Sequence, residues 1–345
     1  MNPLENLSKI SLPTGIEYHP TLSMMDSSKV QAIYECPRRA FFNYILGWQP
    51  KSPNIHTTFG SSIHIGMEHL LKGGSAHEAY ALFYADFEKE YGTGPYDHPS
   101  KNPDKAQQMF NAYQDRYYDD WELLYTEISG KVPIILDPYR IDLNLRIDAI
   151  VKRKDGRLMI IDHKTATRVG AFTYTQYVRS VQVNTYIHAA AAYWGWKNIY
   201  GMLLNFLVFY KREKEPYGFD RVTILRTPED IEQYLVTTRG VVDNYIYDMN
   251  RLADPDIIKK STMRSEGMRG IETELFPPNP KSCTLYNQIC PYDAPCHAWK
   301  NPLQHIAHGE IPNDMKIERW HPDEVRESNY VLENGEFKKK EKNNE

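Results

Sequence analysis

The spacing of apolar positions changes period twice along this chain. After Ser27-Ser28, apolar residues fall at Val30, Ile33 and Tyr34, and then at Phe41, Phe42, Ile45 and Leu46. That is helical spacing behind a serine start signal. A mostly helical pattern continues over 60–130, with breaks at Gly73-Gly74 and in the GTGPYDHPSKNP stretch at 92–103. Near residue 133 the period shortens. Segments 133–137 and 141–153 are rich in Ile, Leu and Val, and RLMIID at 157–162 follows a Lys-Asp-Gly turn, so all three read as strands. Alanines and aromatics over 175–194 restore helical spacing. YGMLLNFLVFY at 200–210 is an unbroken apolar run, the pattern of a strand covered on both faces. A further strand is expected at 219–226, a helix at 228–250 and loops over 255–282. The first twenty residues read as an irregular arm and the tail EFKKKEKNNE as disordered.

This order predicts a mixed α/β or α+β chain with a mixed central β-sheet flanked by helices and a helical insertion over 65–130. Its 345 residues fit one elaborated domain or two small ones. The organisation expected is a single domain over 21–300, closed by a cysteine segment at 280–300, with a C-terminal extension at 301–345. A composition 41% hydrophobic and 25% charged is that of a soluble globular protein. No apolar run approaches the roughly 18 residues of a membrane helix, and MNPLENLSKISLPTG lacks the layout of a secretory signal. The expectation is a cytoplasmic protein with no membrane partner. A net charge of −4 excludes a bulk-basic coat for nucleic acid. It leaves room for a local basic groove assisted by bound cations. Arg38-Arg39, Lys152-Arg153-Lys154 and Lys211-Arg212 are available for that, although such clusters more often form solvated faces.

Candidate chemistry lies in LNLRIDAIVKRKDGRLMIIDHKTAT, residues 143–167. If Lys154-Asp155-Gly156 is a three-residue hairpin loop with Gly156 in the left-handed position, 153 pairs with 157. Each further pair then steps out by one on both strands, and Asp148 falls opposite Asp162. Opposed residues share a face, so Asp148, Asp162 and Lys164 converge while His163 turns away. Facing carboxylates repel unless a divalent cation sits between them. Mg²⁺ or Mn²⁺ held this way polarises a phosphoryl group and supplies a hydroxide, with a lysine beside it to steady the water or the phosphate. Taken alone, D-x-K is a weak signal, equally compatible with a surface hairpin carrying scattered charges.

Several separated motifs in order resemble the PD-(D/E)XK nuclease superfamily, in particular its RecB-like exonuclease branch. SSKVQAIYECPRRAFFNYILGW at 27–48 resembles the family's opening segment, and GSSIHIGMEHLL at 60–71 its G-x-x-x-H motif. RIDAI at 146–150 and IIDHKT at 160–165 resemble its two acid motifs, and VQVNTY at 181–186 its Q-x-x-x-Y motif. The chain departs from the pattern where LRID replaces G-x-x-D. The resemblance implies a restriction-endonuclease-like core and a catalytic set of Asp148, Asp162, Lys164, Gln182 and Tyr186. It implies metal ligation of Mg²⁺ or Mn²⁺ by His64, Asp148, Asp162 and the backbone carbonyl of His163. It also implies a DNA substrate, single-stranded or with free ends, cut exonucleolytically in recombination, repair or processing. No GxxxxGK[ST] P-loop occurs, so any unwinding falls to a helicase or recombination partner.

Cys36, Cys283, Cys290 and Cys296 complete the inventory. Disulfides are disfavoured in a cytosolic protein. The C-x6-C-x5-C spacing lacks the paired C-x2-C knuckles of a zinc ribbon. Four thiol ligands suit a [4Fe–4S] cluster, with zinc or unliganded thiols as alternatives. The arrangement resembles the iron–sulfur members of the same branch, the AddB C-terminal nuclease and CRISPR-associated iron–sulfur nucleases, in which one N-terminal cysteine joins three C-terminal ones. A non-catalytic DNA-binding module, or a zinc-stabilised interaction subunit of a recombination complex, is the alternative function.

Overall fold

A computed structural model describes residues 2–94, 96–117, 121–136, 139–254, 256, 275–284, 288–299, 302–322, 330–333 and 336–339. The chain divides into two compact units. The first comprises Met1–Ser52, Lys131–Asn144 and Glu232–Val325, and the second Pro53–Gly130, Leu145–Ile231 and Arg326–Glu345.

In the first unit, strand β1 (Met25–Asp26) leads into helix α1 (Ser27–Glu35). The cap is Asp26, whose carboxylate accepts the Lys29 N–H at 2.7 Å, so Ser27 is already inside the helix. The extended backbone of Cys36 ends α1, and Pro37 restarts the chain as the short helix α2 (Pro37–Ala40), where a missing N–H costs nothing. Strand β2 (Trp48–Pro50) pairs antiparallel with β8 (Met315–Ile317). The unit's core joins sequence-distant aromatics: Phe42 stacks on Trp48 at 5.2 Å, and the Tyr292 hydroxyl donates to the Trp48 carbonyl. The expected irregular arm contains one turn-like 3-10 helix at Pro3–Lys9. Most of the expected loop over 255–282, residues 257–274, lies outside the described residues.

The second unit positions the candidate chemistry. Its helices α3 (Ile55–Leu71), α4 (Ala76–Tyr91) and α5 (Pro103–Arg116) precede strand β3 (Glu122–Leu136), whose end passes into the first unit. Residues 122–130 were expected to be helical. Thr126, Ile128, Val132 and Ile134 are buried in alternation, and that period of two overrides the helix-favouring Glu122, Leu123 and Leu124. Strands β4 (Tyr139–Lys152), β5 (Leu158–Ala166), β6 (Ile199–Phe209) and β7 (Tyr217–Ile224) follow. With β9 (Tyr330–Glu333) and β10 (Glu336–Lys339) they form a sheet in the order β10-β9-β3-β4-β5-β6-β7. Pairs β4–β5 and β6–β7 are antiparallel and β5–β6 parallel, so the fold is mixed α/β as expected. Residues 336–339, expected within a disordered tail, are a strand. β9 supplies the antiparallel pairing partner, with Phe337 opposite Leu332.

The single helix expected at 175–194 is two, α6 (Ala171–Val178) and α7 (Val181–Trp194). Ser180 breaks them and caps α7 by accepting the Val183 N–H. Odd-numbered β6 residues Leu207 and Phe209 pack with Phe59, Phe83 and Phe110 of the α3–α5 layer, whereas even-numbered Phe206 meets Tyr174 and Tyr177 of α6. The sheet is therefore covered on both faces, which the apolar run over β6 requires. The remaining helices are α8 (Pro228–Leu252), α9 (Asp293–Ala298) and α10 (Pro302–Ala307). Among the described residues, no helix is long and apolar enough to cross a membrane.

Candidate active site

The β4–β5 hairpin turns through Lys154-Asp155-Gly156. Gly156 has φ +82°, and its N–H reaches the Arg153 carbonyl at 2.9 Å while Arg153 N–H bonds the Arg157 carbonyl. The register runs from Lys152↔Leu158 to Ala149↔Ile161, and the same count carries Asp148 to Asp162. There the backbone ladder gives way. Asp148 Oδ2 accepts the His163 N–H at 2.8 Å, so a side chain takes the place of a strand carbonyl. The turn and register therefore have the form expected from the sequence.

Alternation along β5 then separates two sets of side chains. Lys164 lies toward α7, where its ammonium contacts Asp162 Oδ2 at 2.7 Å and donates to Gln182 Oε1 at 2.8 Å. Gln182 in turn donates from Nε2 to the Tyr186 hydroxyl at 3.0 Å, one helical turn further along. His163 lies on the opposite face, toward β6 and α5. Asn205 Nδ2 lies 2.8 Å from His163 Nδ1 and also donates to the Tyr113 hydroxyl, and Arg221 Nε donates to Asn205 Oδ1 at 3.1 Å. An amide donor at Nδ1 leaves the imidazole proton on Nε2. Burial pushes this ring down to about 3, so it is neutral.

His64 arrives from α3. Gly60, one turn earlier, faces Thr165 of β5: a Cβ there would stand 3.2 Å from Thr165 Oγ1, so the bare backbone lets the helix approach the strand. His64 Nδ1 is 3.1 Å from Asp148 Oδ2. Each carboxylate thus has its own cation, His64 for Asp148 and Lys164 for Asp162. Burial by itself would raise Asp148, but the His64 imidazole, with His163 and Lys164, outweighs it and holds that carboxyl below the usual range. Burial raises Asp162 despite Lys164. His64 and Lys164 are both raised: desolvation opposes their charge, and Asp148 and Asp162 respectively overcome it.

Sequence reasoning missed Glu127. It lies on β3, the sheet neighbour of β4, in a segment read as helix. Donor atoms of His64, Glu127 and Asp148 lie within 4.8 Å of one another. Ligands of one octahedral Mg²⁺ stand about 3–4 Å apart at metal–oxygen distances of about 2.1 Å, so this set fits a hard divalent cation with a small contraction. Asp162, expected on the same ion, contacts the Lys164 ammonium at 2.7 Å. Burial, then the Asp148 charge, push Glu127 up to about 7. The sequence signal that could have found it is Glu127 standing between Thr126 and Ile128, in a segment that ends on the β-branched Val132 and Ile134.

In the first unit, Cys36, Cys283, Cys290 and Cys296 all line one cavity of about 20 Å³, with Arg39 and Tyr292. No disulfide joins them. Cys36 Sγ receives the Asn279 N–H at 3.4 Å, and Cys290 N–H bonds the Cys283 carbonyl at 2.8 Å. Tetrahedral zinc would draw four sulfurs to about 3.8 Å of one another at Zn–S of about 2.3 Å. Among the described residues no three cysteine sulfurs lie within 4.8 Å of one another, so the thiols are not drawn up around a single ion here.

The sequence model of the PD-(D/E)XK nuclease superfamily matches residues 27–297. No curated protein matches the chain. Among solved structures it is similar to SSO0001, with 11% identity over 70% of this chain and 84% of that one and a TM-score of 0.31. It is also similar to an exonuclease candidate from Eubacterium rectale, with 13% identity over 67% of this chain and 81% of that one and a TM-score of 0.40. Likenesses this distant carry no functional argument.

Proposed function

Because this chain belongs to the PD-(D/E)XK nuclease superfamily, a family of divalent-metal phosphodiester hydrolases acting on DNA, we propose that it is a RecB-like DNA exonuclease working from free, single-stranded ends. The observation that carries this reading is a three-donor metal pocket and a buried Lys164–Asp162 pair built on one hairpin. His64, Asp148, Asp162 and the backbone carbonyl of His163 would hold Mg²⁺ or Mn²⁺. When bound, the cation supplies Lewis acidity toward the phosphoryl oxygen and a low-pKa water.

The chain's own residues supply the rest. Lys164 stays protonated beside Asp162 and is a positioned donor for the attacking water or the phosphate oxygen. Gln182 fixes the ammonium from α7, and Tyr186 fixes Gln182, so the lysine does not have to reorganise when charge develops. Asn205 anchors His163 from behind and thereby the backbone between the second acid and the lysine. In the first unit, the four cysteines would hold a [4Fe–4S] cluster that ties the N-terminal helices to the C-terminal segment. Its role is structural, since fixing residues 36 and 283–296 to one group closes a loop of more than two hundred residues in the unfolded chain. The nuclease domain would extend over 21–300, acting in DNA recombination or repair beside a helicase partner in the cytoplasm.

The exonuclease assignment is tested with end-labelled linear single-stranded DNA and a covalently closed single-stranded circle, each with Mn²⁺. Loss of the linear strand with survival of the circle is expected. Equal cutting of the circle would sink the exonuclease part and leave the nuclease part standing.

A further inference from the structure

Away from the hairpin, four basic side chains of the second unit gather at the start of α3. His56 lies in the first turn of α3, behind the cap Asn54, whose side chain accepts the His56 N–H at 2.9 Å. His98 and Lys101 lie between α4 and α5, and Lys211 follows β6, exposed at the rim. We propose that His56, His98, Lys101 and Lys211 form a phosphate subsite that holds a backbone phosphate of the substrate strand. This inference rests on the DNA nuclease reading, whose motifs include none of the four.

Lys101 carries the argument. It is 2% exposed, its ammonium stands 5.1 Å from the ring centroids of both Phe59 and Phe209, and its Nζ has no hydrogen-bond partner. Two aromatic faces attract the charge but leave its three N–H donors without an acceptor. Burial, with no opposing carboxylate, pushes it down to about 7. A buried ammonium in that state is costly, and an anion brought to it supplies both the acceptor and the counter-charge. Lys105, four residues on, differs. Its ammonium donates to the Pro99 and Tyr210 carbonyls at 2.6 and 2.8 Å and ties the segment between α4 and α5 to the end of β6. Lys101 makes no such tie.

The surroundings suit an oxyanion. His98 Nδ1 accepts the Lys101 N–H at 2.9 Å, which places the imidazole proton on Nε2 as a donor. The His56 ring stands edge-on to His98 with centroids 5.1 Å apart. Burial, then the Lys101 charge, with Lys211 weaker, push both imidazoles below their ordinary value. Cations crowded in this way are relieved by a bound anion. The 17-residue α3 adds the positive end of its dipole. His56 and His64 lie eight residues apart on that helix, about 12 Å at 1.5 Å per residue. That separation spans about three nucleotides at 3.4 Å each, and fewer on a stretched strand. The subsite therefore grips the strand away from the cleaved bond and sets its register.

The test is fluorescence anisotropy of a short labelled oligothymidylate on the metal-free full-length chain in EDTA, over a series of KCl concentrations. The proteins are wild type, Lys101→Met, His56→Gln and, as a control, Lys154→Ala at the exposed hairpin turn. Lys101→Met is expected to weaken binding about tenfold, the size of one charge-assisted hydrogen bond, and to reduce the salt slope by about 0.7, one phosphate contact on a single strand. His56→Gln should weaken binding in the same direction, and Lys154→Ala by less than about twofold. Without oligonucleotide, Lys101→Met should melt no lower than wild type, because it removes an unpaired buried ammonium. Binding by Lys101→Met within about twofold of wild type, or a Lys101→Met protein that melts lower or does not fold, assigns the ammonium to the core between its two rings and overturns the proposal. If inorganic phosphate binds wild type as tightly as the oligonucleotide does, the pocket takes free phosphate and the strand assignment is wrong. Cutting of DNA by wild type with Mn²⁺ decides the nuclease reading separately. An active enzyme whose binding ignores Lys101 loses this inference alone, whereas Lys101-dependent binding without cutting removes the nuclease and leaves the subsite.

Discussion

Removing the charge of Glu127 should stabilise the metal-free protein at alkaline pH. The folded-state carboxyl titrates at about 7, against 4.5 in an ordinary environment, because burial and then the Asp148 charge oppose its ionisation. A raised folded value means that the folded state holds this proton more tightly than the unfolded chain. The stability it contributes is complete below the unfolded value of 4.5 and is lost as pH rises through about 7. At about 1.4 kcal/mol for each tenfold, the ionised carboxylate costs the fold about 3 kcal/mol above pH 7. That cost belongs to the Glu127–Asp148 pair jointly. Glu127→Gln keeps the shape and removes the charge, giving up only the long contact to Arg146, worth at most about 1 kcal/mol. Urea unfolding in EDTA, at one pH well below 4.5 and one well above 7, measures the difference. The variant should match wild type in acid and exceed it by about 2–3 kcal/mol in base. A difference of the same size at both pH values, or a less stable variant in base, would refute the reasoning.

Metal affinity should depend on pH through His64, which Asp148 holds protonated above its ordinary value against the effect of burial. Mn²⁺ binding should therefore strengthen as pH rises through that raised value and level off above it, and a flat calorimetric profile from about pH 6 to 9 would contradict this. Asn205→Leu removes the amide beside His163 Nδ1 and its bonds with the Tyr113 hydroxyl and Arg221, which keep their own contact at 2.7 Å, so chemical denaturation should show a loss of about 1–3 kcal/mol. Cys36→Ser should lower the iron and acid-labile sulfide of anaerobically purified protein to background. Full iron content in that variant would remove Cys36 from the cluster.

The hairpin was legible because three local facts agreed: Gly156 at the turn position that needs positive φ, segments rich in Ile, Leu and Val on both sides of the turn, and the D…D-x-K spacing. Turn chemistry sets register, and register sets which side chains meet. His64, Gln182 and Tyr186 were legible through motif order, although spacing alone could not show that Gln182 clamps Lys164. Glu127 was not legible. Leu123, Leu124 and the glutamates of ELLYTEISG favour helix locally, and only pairing in the sheet makes the segment a strand that delivers a carboxylate beside Asp148. The break at Ser180 was hidden for a related reason, since α6 and α7 carry the same apolar spacing on both sides of it. The β10 strand was masked by lysines that composition assigns to a disordered tail and that pairing with β9 tolerates.

The central claim is tested most directly by incubating purified wild type, Asp148→Ala and Lys164→Ala with end-labelled single- and double-stranded DNA, in Mg²⁺ and in Mn²⁺. The account predicts metal-dependent digestion by wild type that EDTA stops, and loss of activity by at least about a hundredfold in both variants, as expected when a metal ligand or a charge-stabilising donor is removed. A wild type that cuts neither DNA with either metal, or an Asp148→Ala variant as active as wild type, would contradict it.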